Sequence, residues 1–150
     1  MRIYVDADAC PVAIKEVIYR AANRCQLSTL FVANRLLNTP PSDWIKAYQV
    51  PSGFDEADKY IHEIVEANDL VITSDIPLAS LVIAKGATVI DFKGELIDKF
   101  NISERLSIRD FMESLRNSGV ETGGPSAFSA ADKQQFSNQL DRLLTKFIKS

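Results

Sequence analysis

Short apolar runs alternating with helix-spaced apolar stripes constrain this chain more than any other feature. Ile3 to Val5 form a β-branched and aromatic run that ends at Asp6; Pro11 follows, then Val12, Ile14, Val17, Ile18 and Ala21 at helical spacing. Thr29 to Ala33 predict a second strand, and Tyr48 to Val50 a short third one after a turn-rich stretch containing Pro40 and Pro41. Ser52-x-x-Asp55 reads as a capping box opening a helix with Ala57, Ile61, Ile64 and Val65 on one side. Leu70 to Thr73 is the fully apolar kind of run that buried parallel strands show; Pro77 starts a helix ending near Lys85 and Gly86, and Thr88 to Ile90 give a fifth strand. Strands separated by helices pair in parallel through right-handed crossovers. The expectation is therefore a three-layer α/β fold with a mostly parallel five-stranded sheet, order 3-2-1-4-5, flanked by helices.

After Gly94 the pattern turns helical. Ser107-x-x-Asp110 and Ser129-x-x-Asp132 each predict a helix start, so the segment from about 103 to 149 reads as a helical C-terminal extension packed on one domain spanning 1–150. With 46% hydrophobic residues in 150, one core is expected without disulfides or a structural metal. Cys10 and Cys25 are too few for a disulfide framework, which points to a reducing compartment. No secretory leader is visible and no apolar run approaches the roughly 20 residues that span a bilayer, so a cytoplasmic protein without membrane contact is expected. Seventeen Lys and Arg against twenty Asp and Glu give a net charge of −3, which argues against non-specific coating of nucleic acid. A local basic rim, drawn from residues such as Arg35 or Arg105, is compatible with that balance.

The chemistry concentrates in aspartates. Asp6 and Asp8 follow the first strand and Asp75 follows the fourth, and ligands of open α/β sheets bind outside the carboxyl ends of strands where the order reverses. Asp55 and Asp58, three apart at a helix start, share a face that can approach the same crevice. Grouped carboxylates repel unless protons, basic groups or a cation neutralise them, and hard oxygen ligands suit Mg²⁺ or Mn²⁺. Each aspartate alone is equally well explained as a helix cap, Asp55 most easily because of Ser52. Asp6, Asp8 and Asp75 together exceed what capping requires. Cys10 reads as a small buried packing residue. Thr122, Gly123 and Gly124, inside the Gly119 to Pro125 stretch, form a candidate phosphate loop or lid, with a plain connector as the alternative.

Four segments carry a family resemblance: VDADACP at Val5 to Pro11, FDEAD at Phe54 to Asp58, ITSDIPLA at Ile72 to Ala79, and GGPSAFSAAD at Gly123 to Asp132. In that order they resemble the bacterial YaiI/YqxD family from end to end. The resemblance implies a PIN-like fold, similar to a superfamily of metal-dependent nuclease domains. Asp6, Asp58 and Asp75 match that superfamily's acids after the first strand, on a middle helix and after the fourth strand, with Thr73 and Ser74 preceding the last. Asp8 and Asp55 look like family-specific additions. The middle acid is usually Glu, one methylene longer, and Asp91 is the candidate for a further acid. The function so implied is a Mg²⁺- or Mn²⁺-dependent phosphodiesterase acting on single-stranded RNA, with metal held by Asp6 and Asp75 and help from Asp8, Asp55 or Asp58. Two alternatives stand beside it: a haloacid-dehalogenase-type phosphatase, in which Asp6 and Asp8 are nucleophile and acid with Ser74 and Lys85 in support, and a non-catalytic RNA-binding or regulatory module. Oligomeric state is left open.

Overall fold

The apolar runs pair as strands in the computed structural model, which describes residues 1–53, 55–123 and 128–149. The strands are β1 (Ile3–Asp6), β2 (Thr29–Ala33), β3 (Ile45–Gln49), β4 (Leu70–Ile72), β5 (Thr88–Ile90) and β6 (Leu96–Ile97). Between and after them run α1 (Val12–Cys25), α2 (Glu56–Ile64), α3 (Ile76–Ala84), α4 (Ile102–Asn117) and α5 (Ala130–Lys149). The sheet order is β3-β2-β1-β4-β5-β6. All pairs are parallel except β5 with β6. The expected five-strand order is therefore present, extended by a sixth, antiparallel strand.

Side chains alternate across a strand, and this alternation sorts the core into two layers. Ile3, Val5, Phe31, Leu70 and Ile72 pack with α1 and with Phe136, Leu140 and Leu144 of α5. Tyr4, Val32, Val71 and Val89 pack on the other face, against α2, α3 and Ile102 of α4. Among the described residues no helix is long and apolar enough to cross a membrane.

Three local expectations are corrected. The third strand is Ile45–Gln49 rather than Tyr48 to Val50. It is an edge strand whose residues after Ile45 are exposed, so no apolar alternation marks it. Ser52 does not cap α2; Asp55 occupies the N-cap position with φ of 63° and no side-chain cap bond. The fourth helix begins at Ile102, ahead of Ser107, because Asp98 and Asn101 exchange side-chain to backbone hydrogen bonds of 2.9 and 3.0 Å just before it. The Ser129 to Asp132 box forms as expected, with reciprocal bonds of 3.1 and 3.0 Å.

The hairpin between β5 and β6 docks on α5 through Gly94. Its φ is +84°, and a Cβ there would lie 2.7 Å from backbone atoms of Gln135 and Phe136. Neither the conformation nor the space admits a side chain. Gly94→Ala is expected to lower unfolding stability by about 2 kcal/mol or more. Gly119→Ala, at φ +86° but with nothing within 4 Å, is expected to cost only the backbone strain, about 1 kcal/mol. Urea unfolding of both variants checks this, and equal losses would contradict the packing account.

Candidate functional site

The site begins with the register of the two central strands. Val5 lies opposite Ile72, so Asp6 and Thr73 are the next residues beyond this pair on adjacent parallel strands. Asp6 points to the same face as Tyr4, the face covered by α2 and α3. It is only 9% exposed, and its Oδ2 accepts a 2.8 Å hydrogen bond from the Thr73 hydroxyl. The Thr73 Oγ1 also accepts from the Asp75 backbone N–H at 3.0 Å, tying the two aspartates into one chain of bonds. Burial raises the Asp6 carboxyl above the usual range; the Thr73 bond opposes this, and the charges of Asp75 and Asp8 add to it.

Asp75 is the N-cap of α3, its Oδ1 accepting from the Leu78 N–H at 3.0 Å. Here the capping explanation holds, and it uses one of the two carboxylate oxygens. Asp58, in the first turn of α2, meets Asp75 from the side. Its carboxyl is pushed up to about 7, first by burial, then by the charge of Asp75 and a hydrogen bond to it, then by Asp6 and Asp55. Every charge acting on Asp58 has its own sign. The raised Asp58 carboxyl is a marker of carboxylates assembled without a built-in counter-charge.

The remaining candidates are arranged differently. Asp8 is near enough to Asp6 to act on it, but both its oxygens accept from the Asn34 N–H, at 3.2 and 3.0 Å, and Arg35 stands 3.9 Å away. It is a partnered rim group, and neither it nor Asp6 caps α1, whose N-cap is Pro11. Asp55 is exposed beside Asp58. Asp91 belongs to the β5–β6 turn: its Oδ1 accepts from the N–H groups of Lys93 and Glu95, both at 2.9 Å, and Arg105 lies 3.7 Å from Oδ2. Cys10 is buried as expected, its thiol pushed up to about 12 mainly by burial. Of the loop, Gly123 has φ of +74° with open space around it, and Gly124 and Pro125 lie outside the described residues.

All donors at the crevice are carboxylate and hydroxyl oxygens, the donor chemistry of a hard divalent cation. Among the described residues no three His, Cys, Asp or Glu side chains form a ready cage. Two further charged residues are buried, Lys15 on the apolar stripe of α1 and Asp69 just before β4.

Residues 4–146 match the family model described as "Uncharacterized BCR, YaiI/YqxD family". The chain belongs to the YaiI/YqxD family. It is 60% identical over 146 residues to a UPF0178 protein of Dechloromonas aromatica, covering 97% of each chain. A UPF0178 protein of Hahella chejuensis is 55% identical over the full length of both, and one of Saccharophagus degradans is 57% identical over 99% of both. No solved structure matches the chain.

The raised value at Asp58 gives this family member a specific pH behaviour. The folded protein holds the Asp58 proton to about pH 7, whereas the unfolded chain releases it near pH 4. This group's contribution is full below about pH 4 and is lost as pH rises toward 7, with a slope of at most one proton, about 1.4 kcal/mol per pH unit. Asp58→Asn fixes the neutral form, so without divalent cations it is expected to flatten that slope and to melt at or above wild type at pH 8. Melting curves across pH 4–8 and a carboxyl ¹³C titration check this; an Asp58 that titrates near pH 4 overturns it.

Proposed function

We propose that this protein is a divalent-metal-dependent phosphodiesterase of PIN-like type that cuts single-stranded RNA. One observation carries the reading: Asp6, Asp58 and Asp75 act on one another beyond the ends of β1 and β4, with no basic group among the influences on Asp58. The parallel order around β1 and β4, with acids after each and a third on α2, supports the PIN-like assignment.

Asp6 and Asp75 would hold the ion, with Asp58 beside them and Asp8 and Asp55 at the rim. When bound, Mg²⁺ or Mn²⁺ neutralises charge on a phosphodiester and lowers the pKa of a water. The chain's own residues account for the rest. Thr73 fixes the direction of the Asp6 carboxylate, and the Leu78 N–H does the same for Asp75, so both acids are oriented before any ligand arrives. Asp58, with a value near 7, is placed to take up or release a proton at physiological pH. Asp6, nine-tenths buried, contributes charge in a dry setting where electrostatic interactions are strong.

The phosphatase alternative fits less well. Lys85, its phosphate-binding lysine, donates to the His62 carbonyl at 2.7 Å at the end of α2, and the Ser74 hydroxyl accepts from the Phe92 N–H. Asp6, its nucleophile, is buried and already bonded to Thr73.

A labelled single-stranded RNA incubated with Mg²⁺ or Mn²⁺ is expected to be cut, and a chelator to stop the cutting. Asp6→Asn and Asp75→Asn keep an oxygen for Thr73 or Leu78 but lose the charge. They are expected to lower the rate by more than about 100-fold, beyond the loss typical of outer-shell partners. Without metal they should melt at or above the wild-type temperature, because repulsion is relieved. A wild type that neither binds divalent metal nor cuts, with both variants destabilised, would falsify the enzyme reading and leave the RNA-binding module in its place.

A further inference from the structure

Helix α4 carries two apolar faces, and its own chain covers one of them. Ile102 is buried, and Leu106, one turn on, packs with it in the layer that holds α3. Ile108, Phe111, Met112 and Leu115 follow at i, i+3, i+4 and i+7, a stripe centred about 150° round the helix from that anchor. Ile108 is 55% and Phe111 62% exposed, and Ile102 is the one buried residue among the sixteen of α4. The stripe runs on past the helix end, where the Val120 N–H donates to the Leu115 carbonyl at 3.0 Å and Val120 is 48% exposed. Scattered exposed apolar residues are ordinary; a contiguous stripe on consecutive turns marks an interaction surface.

The same helix offers both halves of a fit. Its N-terminal half borders a groove of about 510 Å³ lined by Ile76, Asn101, Glu104, Arg105 and Ile108, and its C-terminal half presents Phe111, Met112 and Leu115. A two-fold axis brings the N-terminal half of one copy to the C-terminal half of the other, so groove and apolar side chains meet twice.

Charge selects the same arrangement. Arg105 is engaged within the chain by Asp91 and Glu95, and Arg109 by Asp110 and Glu113. Among the described residues Glu104 and Arg116 have no ion-pair partner, and they stand about 18 Å apart along the helix, too far to meet within one chain. Antiparallel pairing about a point between Arg109 and Asp110 sets Ile108 against the partner's Phe111. It also sets Glu104 beside the partner's Leu115, within reach of the partner's Arg116. A parallel pair would instead set each of these charges against its own copy.

We propose that α4 is the interface of a two-fold homodimer, packed antiparallel through Ile108, Phe111, Met112 and Leu115 and closed at each end by a Glu104–Arg116 pair between chains. A face one helix wide lies at the low end of the interface scale, below about 1,200 Å² in total, so association is expected at micromolar concentration. Ile76 directly follows Asp75, so the interface lies beside the aspartate crevice. The assembly does not rest on the phosphodiesterase reading.

Sedimentation velocity of the full chain from about 1 μM to about 500 μM tests this, and the wild type is expected to pass from monomer to dimer across the range. Phe111→Glu, at an exposed position, is expected to weaken association at least tenfold while the dilute protein melts as the wild type does. Glu104→Arg and Arg116→Glu are each expected to weaken self-association at least threefold, because each homodimer then carries two like-charge contacts. Mixed together, these two variants are expected to form a heterodimer at least threefold tighter than either alone, since every contact is again between opposite charges. That rescue requires the antiparallel register and cannot arise within one chain. A wild type that stays monomeric throughout, a dimer indifferent to Phe111→Glu, or a mixture no tighter than its parents overturns the proposal. Should Phe111→Glu fail to fold, the two charge variants and their mixture decide alone.

Discussion

The parallel pairing of β1 with β4 is the constraint on which the rest depends. The chain lays β2 and β3 on one side of β1, then crosses over to place β4 on the other. Loops from two distant parts of the sequence must therefore diverge from one line between neighbouring strands, and a crevice opens there. The register Val5 to Ile72 then makes Asp6 the neighbour of Thr73. Were β4 to slip by one residue, Thr73 would face α1 instead, and Asp6 would lose its only side-chain hydrogen-bond donor among the described residues. Register and chemistry are thus one property here.

How much of this is legible in sequence depends on burial. The strands buried on both sides, β1, β2, β4 and β5, announce themselves as unbroken apolar runs, and their alternation with helices dictates the sheet order. β3 and β6 lie at the edges, where one side of the strand faces solvent and apolar patterning is not enforced. The nearness of Asp6 and Asp75 could be inferred because it follows from strand order, while that of Asp58 rests on its place at the start of a helix. The left-handed backbone at Asp55 and the Asp98 to Asn101 exchange could not, because each is settled by local hydrogen bonding among residues compatible with several turns.

Asp75 shows why the contest between capping and function has no single winner. A side chain that caps a helix is held in one rotamer by a backbone donor, and such rigidity is what a ligand-binding carboxylate needs. One oxygen satisfies the helix, and the same carboxylate acts on Asp58. Asp8 is the contrasting case, since both oxygens go to a single N–H and its remaining charge is met by Arg35. Two aspartates of equal sequence weight thus end with different freedom to act.

The closing of the α1 layer by α5 bears on when the molecule can be whole. Ile3 and Val5 share a core with Phe136, Leu140 and Leu144, more than 120 residues downstream. During synthesis the first strands and α1 leave the ribosome long before the helix that seals their outer face has been made, and contacts so far apart in sequence form slowly. Until residues 130–149 emerge, the sheet carries a bare apolar strip. The nascent chain is then most open to chaperones and to misassembly, and the last helix acts as the latch that ends that exposure.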